Sequence, residues 1–276
     1  MYVNATEKGG LTSYYDSHIH TEHSHDSVCS VDSMCEAAIS CGLKGIAFTD
    51  HCETNKGISA CLKVIKGLKS DVKRARDIFG DKLEISLGIE LGQPHHDLSL
   101  SHELLCDGEI DFVIGSLHHA RGQQDYYYID YDHEDIDMIM YRYYDELMEL
   151  VECGCYDVIG HINYQLRYMS AVARNRGDLS KYYRELGAIL DVVAKNNKGI
   201  EINSSGLWRG IDLTLPPLEV IKMFRAVGGE IVTTGSDSHD ASHVGAAIDS
   251  AVECLRDAGF ERCAFFKQRK PIFKAI

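Results

Sequence analysis

Seven short apolar segments alternate with helix-like segments along this chain of 276 residues, and that alternation limits the possible folds more than any other feature. Neighbouring parallel strands need a long crossover connection, usually a helix, and such helices cover both faces of the sheet. The alternation therefore predicts an α/β protein with a parallel sheet. The predicted strands are Tyr15–His20, Gly45–Thr49, Glu84–Glu90, Phe112–Ser116, Val158–His161, Gly199–Asn203 and Ile231–Gly235. The predicted helices are Ser33–Cys41, Ser59–Phe79, Asp135–Cys153, Leu179–Asn197, Leu218–Val227 and His243–Ala258.

Histidine or acidic residues stand at the C-terminal ends of six of these strands. An α/β barrel places its chemistry at that end of its strands, whereas an open doubly wound sheet gathers ligands at one crevice. Because nearly every strand contributes a polar residue here, we predict a TIM-like barrel rather than the open sheet. The chain is long enough for one such barrel, so we expect a single domain over residues 1–276 with a core of about 14–265.

Paired polar residues end the first and the last of these strands. His18 and His20 lie two positions apart, so both can point to the same face of a strand. Asp237 and His239 repeat that spacing after the last strand. Imidazole nitrogen and carboxylate oxygen are ligands that Zn, Mn and Fe accept. The two pairs therefore indicate a metal site.

Single polar residues end the strands between these pairs: His51, Glu90, His118 and His161. Adjacent residues of a strand face opposite ways, so of His118 and its neighbour His119 we expect only His118 to point at the site. Taken alone, each could be a surface or capping residue, although a buried carboxylate such as Glu90 needs a partner. All six patches at the same ends of successive strands favour a hydrolase with several metal ions.

The composition argues against several other classes of protein. The net charge is −14 and the only basic run is Lys267–Lys270, so we expect a small-molecule partner and no nucleic acid. No apolar run reaches the ~20 residues of a membrane span. Met1–Ser13 lacks the apolar segment of a secretory signal, so we expect a cytoplasmic protein without a membrane partner. The sequence contains no dinucleotide fingerprint and no phosphate-binding loop.

The polar patches together resemble those of the polymerase and histidinol phosphatase (PHP) family of metal-dependent phosphoesterases. The resemblance covers nearly the whole chain, from Asp16–Thr21 (DSHIHT) to Gly235–His239 (GSDSH). It implies a distorted barrel of seven βα units, which agrees with the number of predicted strands. It also implies two or three divalent transition-metal ions, and this ligand set suits Zn, Mn and Fe alike.

The resemblance implies nine metal ligands in three groups that share one carboxylate. They are His18, His20, Glu90 and Asp237 in the first group, Glu90, His118 and His161 in the second, and Asp26, His51 and His239 in the third. Position 26 leaves an alternative open, because some family members have a histidine there and His25 is adjacent; the family's spacing selects Asp26. Glu90 would bridge two ions, and Glu90, Asp237 and His239 are expected to be catalytic.

Two segments resemble the histidinol phosphatases within this family. They are Glu201–Gly206 (EINSSG) and Gly160–Asn163 (GHIN), the second with Arg167 downstream. We expect Arg167 to clamp the phosphate and to offset the charge that develops on it, and so to be catalytic as well as substrate-binding. Arg209 and His243 are expected to be further substrate-binding residues.

The resemblance implies hydrolysis of a phosphate monoester, and its two segments favour L-histidinol phosphate, an intermediate of histidine biosynthesis. Trp208 stands where the family pattern has an arginine, which leaves the exact ester open. One alternative is a phosphodiesterase or exonuclease of the same family that acts on nucleotides or nucleic acid. A second alternative is a non-catalytic, metal-binding regulatory domain, which is disfavoured because all nine ligand positions are filled. The sequence leaves the oligomeric state open.

Overall fold

This computed structural model describes residues 14–276, apart from the side chain of Arg176. Ten strands and nine α-helices form within this range. Met1–Ser13, for which the sequence predicts no secretory signal, lies outside the described residues. The strands are β1 (Tyr15–Ile19), β2 (Gly45–Phe48), β3 (His51–Glu53), β4 (Glu84–Gly92), β5 (Phe112–Ser116), β6 (Val158–Ile159), β7 (Gly199–Asn203), β8 (Val232–Gly235), β9 (Arg262–Lys267) and β10 (Lys270–Ala275). The helices are α1 (Val31–Cys41), α2 (Ile58–Phe79), α3 (Leu98–Leu105), α4 (Ile136–Cys153), α5 (Ala171–Arg176), α6 (Tyr183–Lys195), α7 (Ser205–Trp208), α8 (Leu218–Ala226) and α9 (Ile248–Asp257).

One curved parallel sheet runs through the molecule. Its strands lie in the order β1-β2-β4-β5-β6-β7-β8, with β3 paired to β4, and every pairing is parallel. The two ends of this order meet, because Ile19 bridges to Ser238 and the His20 N–H donates to Ser238 O at 2.8 Å. The sheet is thus nearly closed into a barrel, which confirms the predicted TIM-like α/β fold. The C-terminal ends of its strands form one rim.

Local sequence signals set the ends of the helices. The side chains of Ser30 and Asp135 accept hydrogen bonds from backbone N–H groups in the first turns of α1 and α4. Serine and aspartate are favoured at this position because their oxygens satisfy donors that the helix leaves free. Gly42 and Gly154 follow these two helices with φ angles of 80° and 68°, a left-handed conformation that glycine adopts without strain.

Apolar helix faces pack on the outside of the sheet. In α6, Leu186, Ile189, Leu190 and Val193 recur at helical spacing, and all four are buried, as the sequence predicts. Burying each of these side chains contributes roughly 1.5–3 kcal/mol. They belong to the same apolar cluster as residues of β4 to β8, so this face fixes α6 against the barrel.

An antiparallel hairpin, β9 and β10, lies at the opposite end of the barrel from the rim and was not predicted. Gln268 and Arg269 join its strands with φ angles of 49° and 61°. Hairpin turns with two positive φ angles normally carry asparagine and glycine, so the usual sequence signal is missing here. Phe266 stacks on Phe112, the first residue of β5, with ring centroids 4.8 Å apart. Packed structure therefore extends past the predicted core limit of about residue 265.

Several element ends differ from the sequence prediction. Strand β6 stops at Ile159, two residues early, because His161 has a φ angle of 22°, which a strand cannot accommodate. Helix α9 begins at Ile248, and the predicted start forms a separate short turn, Ala241–His243. The segment Leu179–Tyr182 is likewise a tight turn before α6. No helix within residues 14–276 is long and apolar enough to cross a membrane.

Candidate metal centre

Glu90 lies at the middle of a cluster of imidazoles on the rim of the barrel. It sits near the end of β4, and its side chain is 1% exposed. Its Oε1 atom lies 2.8 Å from His161 Nε2 and 3.2 Å from His118 Nε2, and it accepts a hydrogen bond from Ser116 Oγ at 2.6 Å. Three strand ends therefore meet at one carboxylate, and the second predicted ligand group lies together.

The first predicted group meets on the other side of the same carboxylate. His18 Nε2 and His20 Nε2 lie 3.0 Å apart, and each is 3.5 Å from an oxygen of Glu90. Asp237 Oδ1 lies 3.4 Å from His20 Nε2 and 3.7 Å from His18 Nε2. Two imidazole nitrogens and two carboxylates thus converge, which is a ligand set that divalent transition metals accept.

The third predicted group lies nearer the solvent. Asp26 Oδ2 is 3.1 Å from His239 Nε2 and 3.5 Å from His51 Nε2. The alternative ligand, His25, has a side chain that is 73% exposed, and its ring centroid lies 5.3 Å from that of His51. Asp26 is therefore directed at both imidazoles, while His25 lies at the edge of the group.

Unpaired polar atoms test whether these residues fit metal ions. His51 Nδ1 lies only 2.8 Å from Glu90 Oε2, yet neither of these two buried atoms has a hydrogen-bond partner within the described residues. Buried polar atoms are normally paired, because leaving them unpaired is costly. Buried polar atoms without a hydrogen-bond partner are expected where the side chains face space that cations would occupy. The clusters have the composition and spacing to bind divalent metal ions.

Two glutamates orient the imidazoles, and neither is among the site residues predicted from the sequence. Glu201 Oε1 lies 2.6 Å from His18 Nδ1, and Glu53 Oε1 lies 2.8 Å from His118 Nδ1. A carboxylate at Nδ1 keeps the ring proton on that atom, so Nε2 presents its lone pair to the centre. Glu53 could have been found from its spacing, because it follows His51 by two residues on β3.

Backbone geometry directs two of the ligands and leaves room for a third. His161 and Asp237 have φ angles of 22° and 55°. Residues other than glycine rarely adopt positive φ, and such strain concentrates at functional sites. At Gly235, a Cβ atom would lie 2.3 Å from Glu201 Oε1 and 2.5 Å from His18 Cβ. Only glycine therefore leaves space for the Glu201 and His18 pair.

Two of the three ligand carboxylates of the centre, Glu90 and Asp237, remain ionised. Burial would raise the pKa of Glu90, but the neighbouring imidazoles, His51 foremost, hold it well below its usual value. Burial would also raise the pKa of Asp237, and the guanidinium of Arg167 in particular holds that pKa well below its usual value. Ionised carboxylates are the form that binds metal ions.

A cavity of about 770 Å³ opens over the centre. This volume lies in the usual range for small-molecule sites. Ligand residues of all three groups line its inner part. Its wall is aromatic and polar, and is formed by His25, Glu53, Asn55, Lys56, His119, Gln123, Gln124, Asp125, Tyr127, Tyr128, Tyr164, Arg167, Tyr168 and Arg209.

Arg167 is a fixed cation in the wall of this cavity. Its Nη2 atom donates to Asp237 Oδ2 at 2.5 Å and to Ser205 Oγ at 2.6 Å. Its guanidinium lies 5.1 Å from the ring centroid of Tyr164. The Nε donor has no hydrogen-bond partner within the described residues. The arginine is thus held in place and keeps one donor free.

The other two residues predicted to bind substrate lie differently. Arg209 lines the cavity from an exposed position, with its guanidinium 4.5 Å from the Trp208 ring centroid. His243 stacks on Trp208 at 4.3 Å and is not among the lining residues. Trp208 also donates its Nε1 hydrogen to Ser236 O at 3.0 Å, so this ring is engaged within the protein. The substrate roles of Arg209 and His243 stay predictions.

This chain is similar in sequence and in structure to proteins that are named histidinol-phosphatase. A protein from Deinococcus radiodurans, named probable histidinol-phosphatase, is 25% identical over 267 residues, which cover 94% of this chain and 99% of the relative. The histidinol-phosphatase of Lactococcus lactis subsp. lactis is 26% identical over 265 residues, covering 92% of this chain and 95% of the relative. A crystal structure of histidinol phosphate phosphatase from Lactococcus lactis subsp. lactis, complexed with zinc, L-histidinol and phosphate, has a TM-score of 0.79 at 23% identity, covering 94% of this chain and 99% of that one.

A family model matches most of the barrel and shows the family to which this chain belongs. The PHP domain model matches residues 16–205, which is more than half of the chain and includes seven of the nine predicted ligands. The similar crystal structure has the same fold. The resemblance on which the ligand groups were predicted is thereby confirmed, and this chain belongs to the PHP domain family.

Proposed function

We propose that this protein hydrolyses a phosphate monoester, L-histidinol phosphate, to L-histidinol and phosphate with the aid of two or three divalent transition-metal ions. The observation that carries the proposal is the convergence of His and carboxylate ligands around Glu90, beneath a cavity that also holds a buried arginine. The names of the relatives from Deinococcus radiodurans and Lactococcus lactis support this substrate. So do the L-histidinol and phosphate bound in the similar crystal structure.

The three ligand groups divide the work of holding the ions. His18, His20 and Asp237 would hold one ion and His118 and His161 a second, with Glu90 shared between them. Asp26, His51 and His239 would hold a third. Ions bound there would polarise phosphoryl oxygens and activate water at neutral pH, so no protein nucleophile is required.

Orientation of the ligands is the task of the surrounding carboxylates. Glu201 keeps a proton on His18 Nδ1, and Glu53 keeps one on His118 Nδ1, at distances of 2.6 Å and 2.8 Å. Both imidazoles therefore offer Nε2 without rotating away. Glu53 lines the cavity and Glu201 does not, but both act through the imidazoles that they orient and are therefore positioning residues.

Arg167 binds the phosphoryl group from the cavity wall. Asp237 and Ser205 hold its guanidinium in a single place, and its Nε donor is free. A hydrogen bond from a guanidinium to a phosphate oxygen is charge-assisted and therefore strong. A fixed cation there also offsets the charge that develops on the nonbridging oxygens, which accelerates the reaction rather than only binding the ester.

The outer wall of the cavity suits the alcohol part of this ester. Tyr127, Tyr164 and Tyr168 present ring faces and edges, and Asp125 adds a carboxylate to the same cavity. Aromatic rings and a carboxylate are suitable neighbours for an imidazole ring and a primary ammonium group. L-Histidinol phosphate carries both of these groups.

A substrate panel tests the proposal. Metal-replete protein is assayed for phosphate release from L-histidinol phosphate and a simple aryl phosphate, and for cleavage of a dinucleotide and a phosphodiester. We expect the highest kcat/KM for L-histidinol phosphate. Faster cleavage of the diesters would favour the phosphodiesterase alternative. Full metal content with no hydrolysis of any ester would favour the non-catalytic alternative.

A further inference from the structure

A second cluster of two histidines and a glutamate lies apart from the metal centre. His95 and His96 belong to the short turn Pro94–His96 after β4, and Glu146 lies in α4. His95 Nε2 is 2.7 Å and His96 Nε2 is 3.0 Å from the same oxygen, Glu146 Oε2. None of the three residues lines the cavity over the centre. Three potential ligand atoms therefore meet at a point that the proposed reaction does not use.

The surroundings hold these side chains in place. The backbone N–H of Arg121 donates to Glu146 Oε1 at 2.7 Å, which leaves Oε2 to face the two imidazoles. The side chains of His95, His96 and Glu146 are 3%, 12% and 14% exposed. The three ligand atoms are thus preorganised, and the site stays close enough to the surface for an ion to enter.

The cluster contains a carboxylate without a matching cation. No lysine or arginine side chain in the described part of the chain forms an ion pair with Glu146; the Arg121 guanidinium lies 3.7 Å from Glu149 instead. Burial lowers the pKa of both imidazoles. Burial would raise the pKa of Glu146, but hydrogen bonds from His95 and His96 lower it to about 2. Glu146 therefore keeps its negative charge in a mostly buried position without a lysine or arginine partner, and a bound divalent ion would supply the positive charge.

We propose that His95, His96 and Glu146 bind one further divalent transition-metal ion, separate from the PHP centre. Two imidazole nitrogens and one carboxylate oxygen are a set that Zn²⁺, Co²⁺ and Ni²⁺ accept, and three protein ligands leave a position for water. The ion ties the turn after β4 to α4.

The same ion would stabilise the segment 119–128, which forms one side of the cavity. Glu146 is bonded to the backbone of Arg121, and the segment 119–128 that contains Arg121 supplies six residues of the cavity wall. His96 also lies beside that wall, with its ring centroid 5.5 Å from that of His119. The role of the ion is therefore structural, and the cluster touches neither the substrate nor the Glu90 ligands.

Equilibrium dialysis of the full chain against Zn²⁺, after treatment with a chelator, tests the proposal by metal content rather than by turnover. We expect His96→Gln and Glu146→Gln each to bind one equivalent less than the wild-type protein. The matched control is His133→Gln, because His133 also lies 2.8 Å from a carboxylate, that of Asp130, but is 83% exposed and has no second imidazole. The control should bind as much Zn²⁺ as the wild-type protein.

A change at Glu90 separates the two metal centres. Glu90→Gln weakens the two ion sites of the PHP centre that share this carboxylate and leaves the ligands Asp26, His51 and His239 unchanged. Protein with both Glu90→Gln and His96→Gln should bind one equivalent less than protein with Glu90→Gln alone. Circular dichroism checks that each variant is folded. His96→Gln should fold normally, because His96 lies in a partly exposed turn. Equal Zn²⁺ content in the wild-type, His96→Gln and Glu146→Gln proteins would overturn the proposal and leave a hydrogen-bonded cluster without metal.

Discussion

Replacing Arg167 by alanine tests how this protein keeps a carboxylate buried at its centre. The side chains of Arg167 and Asp237 are 6% and 4% exposed, and they meet at 2.5 Å. Removing one partner of a buried ion pair typically costs about 3–5 kcal/mol, because the other charge stays buried alone. His18 lies 3.7 Å from the other Asp237 oxygen. Burial would lower the pKa of this imidazole, but neighbouring carboxylates, Glu201 foremost, raise it well above its usual value, so the imidazole partly compensates for the loss. We therefore expect a cost near the lower limit, about 3 kcal/mol, in the metal-free protein.

Melting curves measure this cost directly. For a chain of this size, about 3 kcal/mol corresponds to a fall in Tm of roughly 6–12 °C. Chelator-treated wild-type, Arg167→Ala and Arg167→Lys proteins are compared with and without Zn²⁺. Zn²⁺ should recover most of the loss in Arg167→Ala, because a bound cation then pairs with Asp237, and Arg167→Lys should lie between the other two. Equal Tm values for metal-free wild-type and Arg167→Ala proteins would refute the idea that Arg167 compensates Asp237.

The same substitutions test the phosphate clamp. Removing one fixed donor that faces developing charge typically lowers the rate by about 10²- to 10³-fold, so kcat/KM of Arg167→Ala for L-histidinol phosphate should fall by about that factor. Arg167→Lys should fall nearly as far, because lysine lacks the two-pronged donor geometry. A loss confined to KM marks uniform binding, whereas a loss in kcat marks transition-state stabilisation. The exposed Arg209 is the comparison, and an equal loss in Arg209→Ala would contradict the assignment of the clamp to Arg167.

Three further changes test the metal centre. Glu90→Gln should lower turnover by about 10³-fold or more, and far more than Asp26→Asn does. The reason is that Glu90 belongs to two ligand groups, so its loss weakens the binding of two ions. Similar kinetics of the two variants would argue against a shared carboxylate. Glu146→Gln protein, which keeps only the PHP centre, should bind two or three equivalents of Zn²⁺ and lose hydrolysis on chelation, and a content of one or none would defeat the nine-ligand assignment. Gly235→Ala should weaken metal binding, because the added Cβ would lie 2.3 Å from Glu201 Oε1, and unchanged metal content would show that this glycine is replaceable.

Much of the barrel could be read from local patterns. Buried parallel strands are continuous apolar runs, and the helices between them carry one apolar face, so both repeat visibly in the sequence. The hairpin β9–β10 was not predicted, because its turn residues with positive φ angles are Gln268 and Arg269 rather than the usual glycine or asparagine. Strand β3 (His51–Glu53) was not predicted, because a strand of three residues is too short to show a periodic pattern.

The chemistry of the ligand atoms was also visible in the sequence. Imidazoles and carboxylates that end apolar strands must lie on one rim if the strands are parallel, whatever the details of packing. His18, Glu90 and His161 were therefore predicted to meet, and they lie together in the structure. Their roles as metal ligands stay predictions until metal is measured.

Only the closed barrel decided which side chains on the rim are within reach of one another. Glu201 comes from β7 and reaches His18 on β1 because β8 between them has a glycine, Gly235, at the crossing point. His243 could not be placed from sequence, and packing turned it against Trp208. Sequence periodicity gives the face on which a residue lies within its own element, but distances between elements depend on how the sheet curves and closes. The residue types and strand-end positions of the ligands were therefore determined by the sequence alone, while their positioning partners were decided by the tertiary structure.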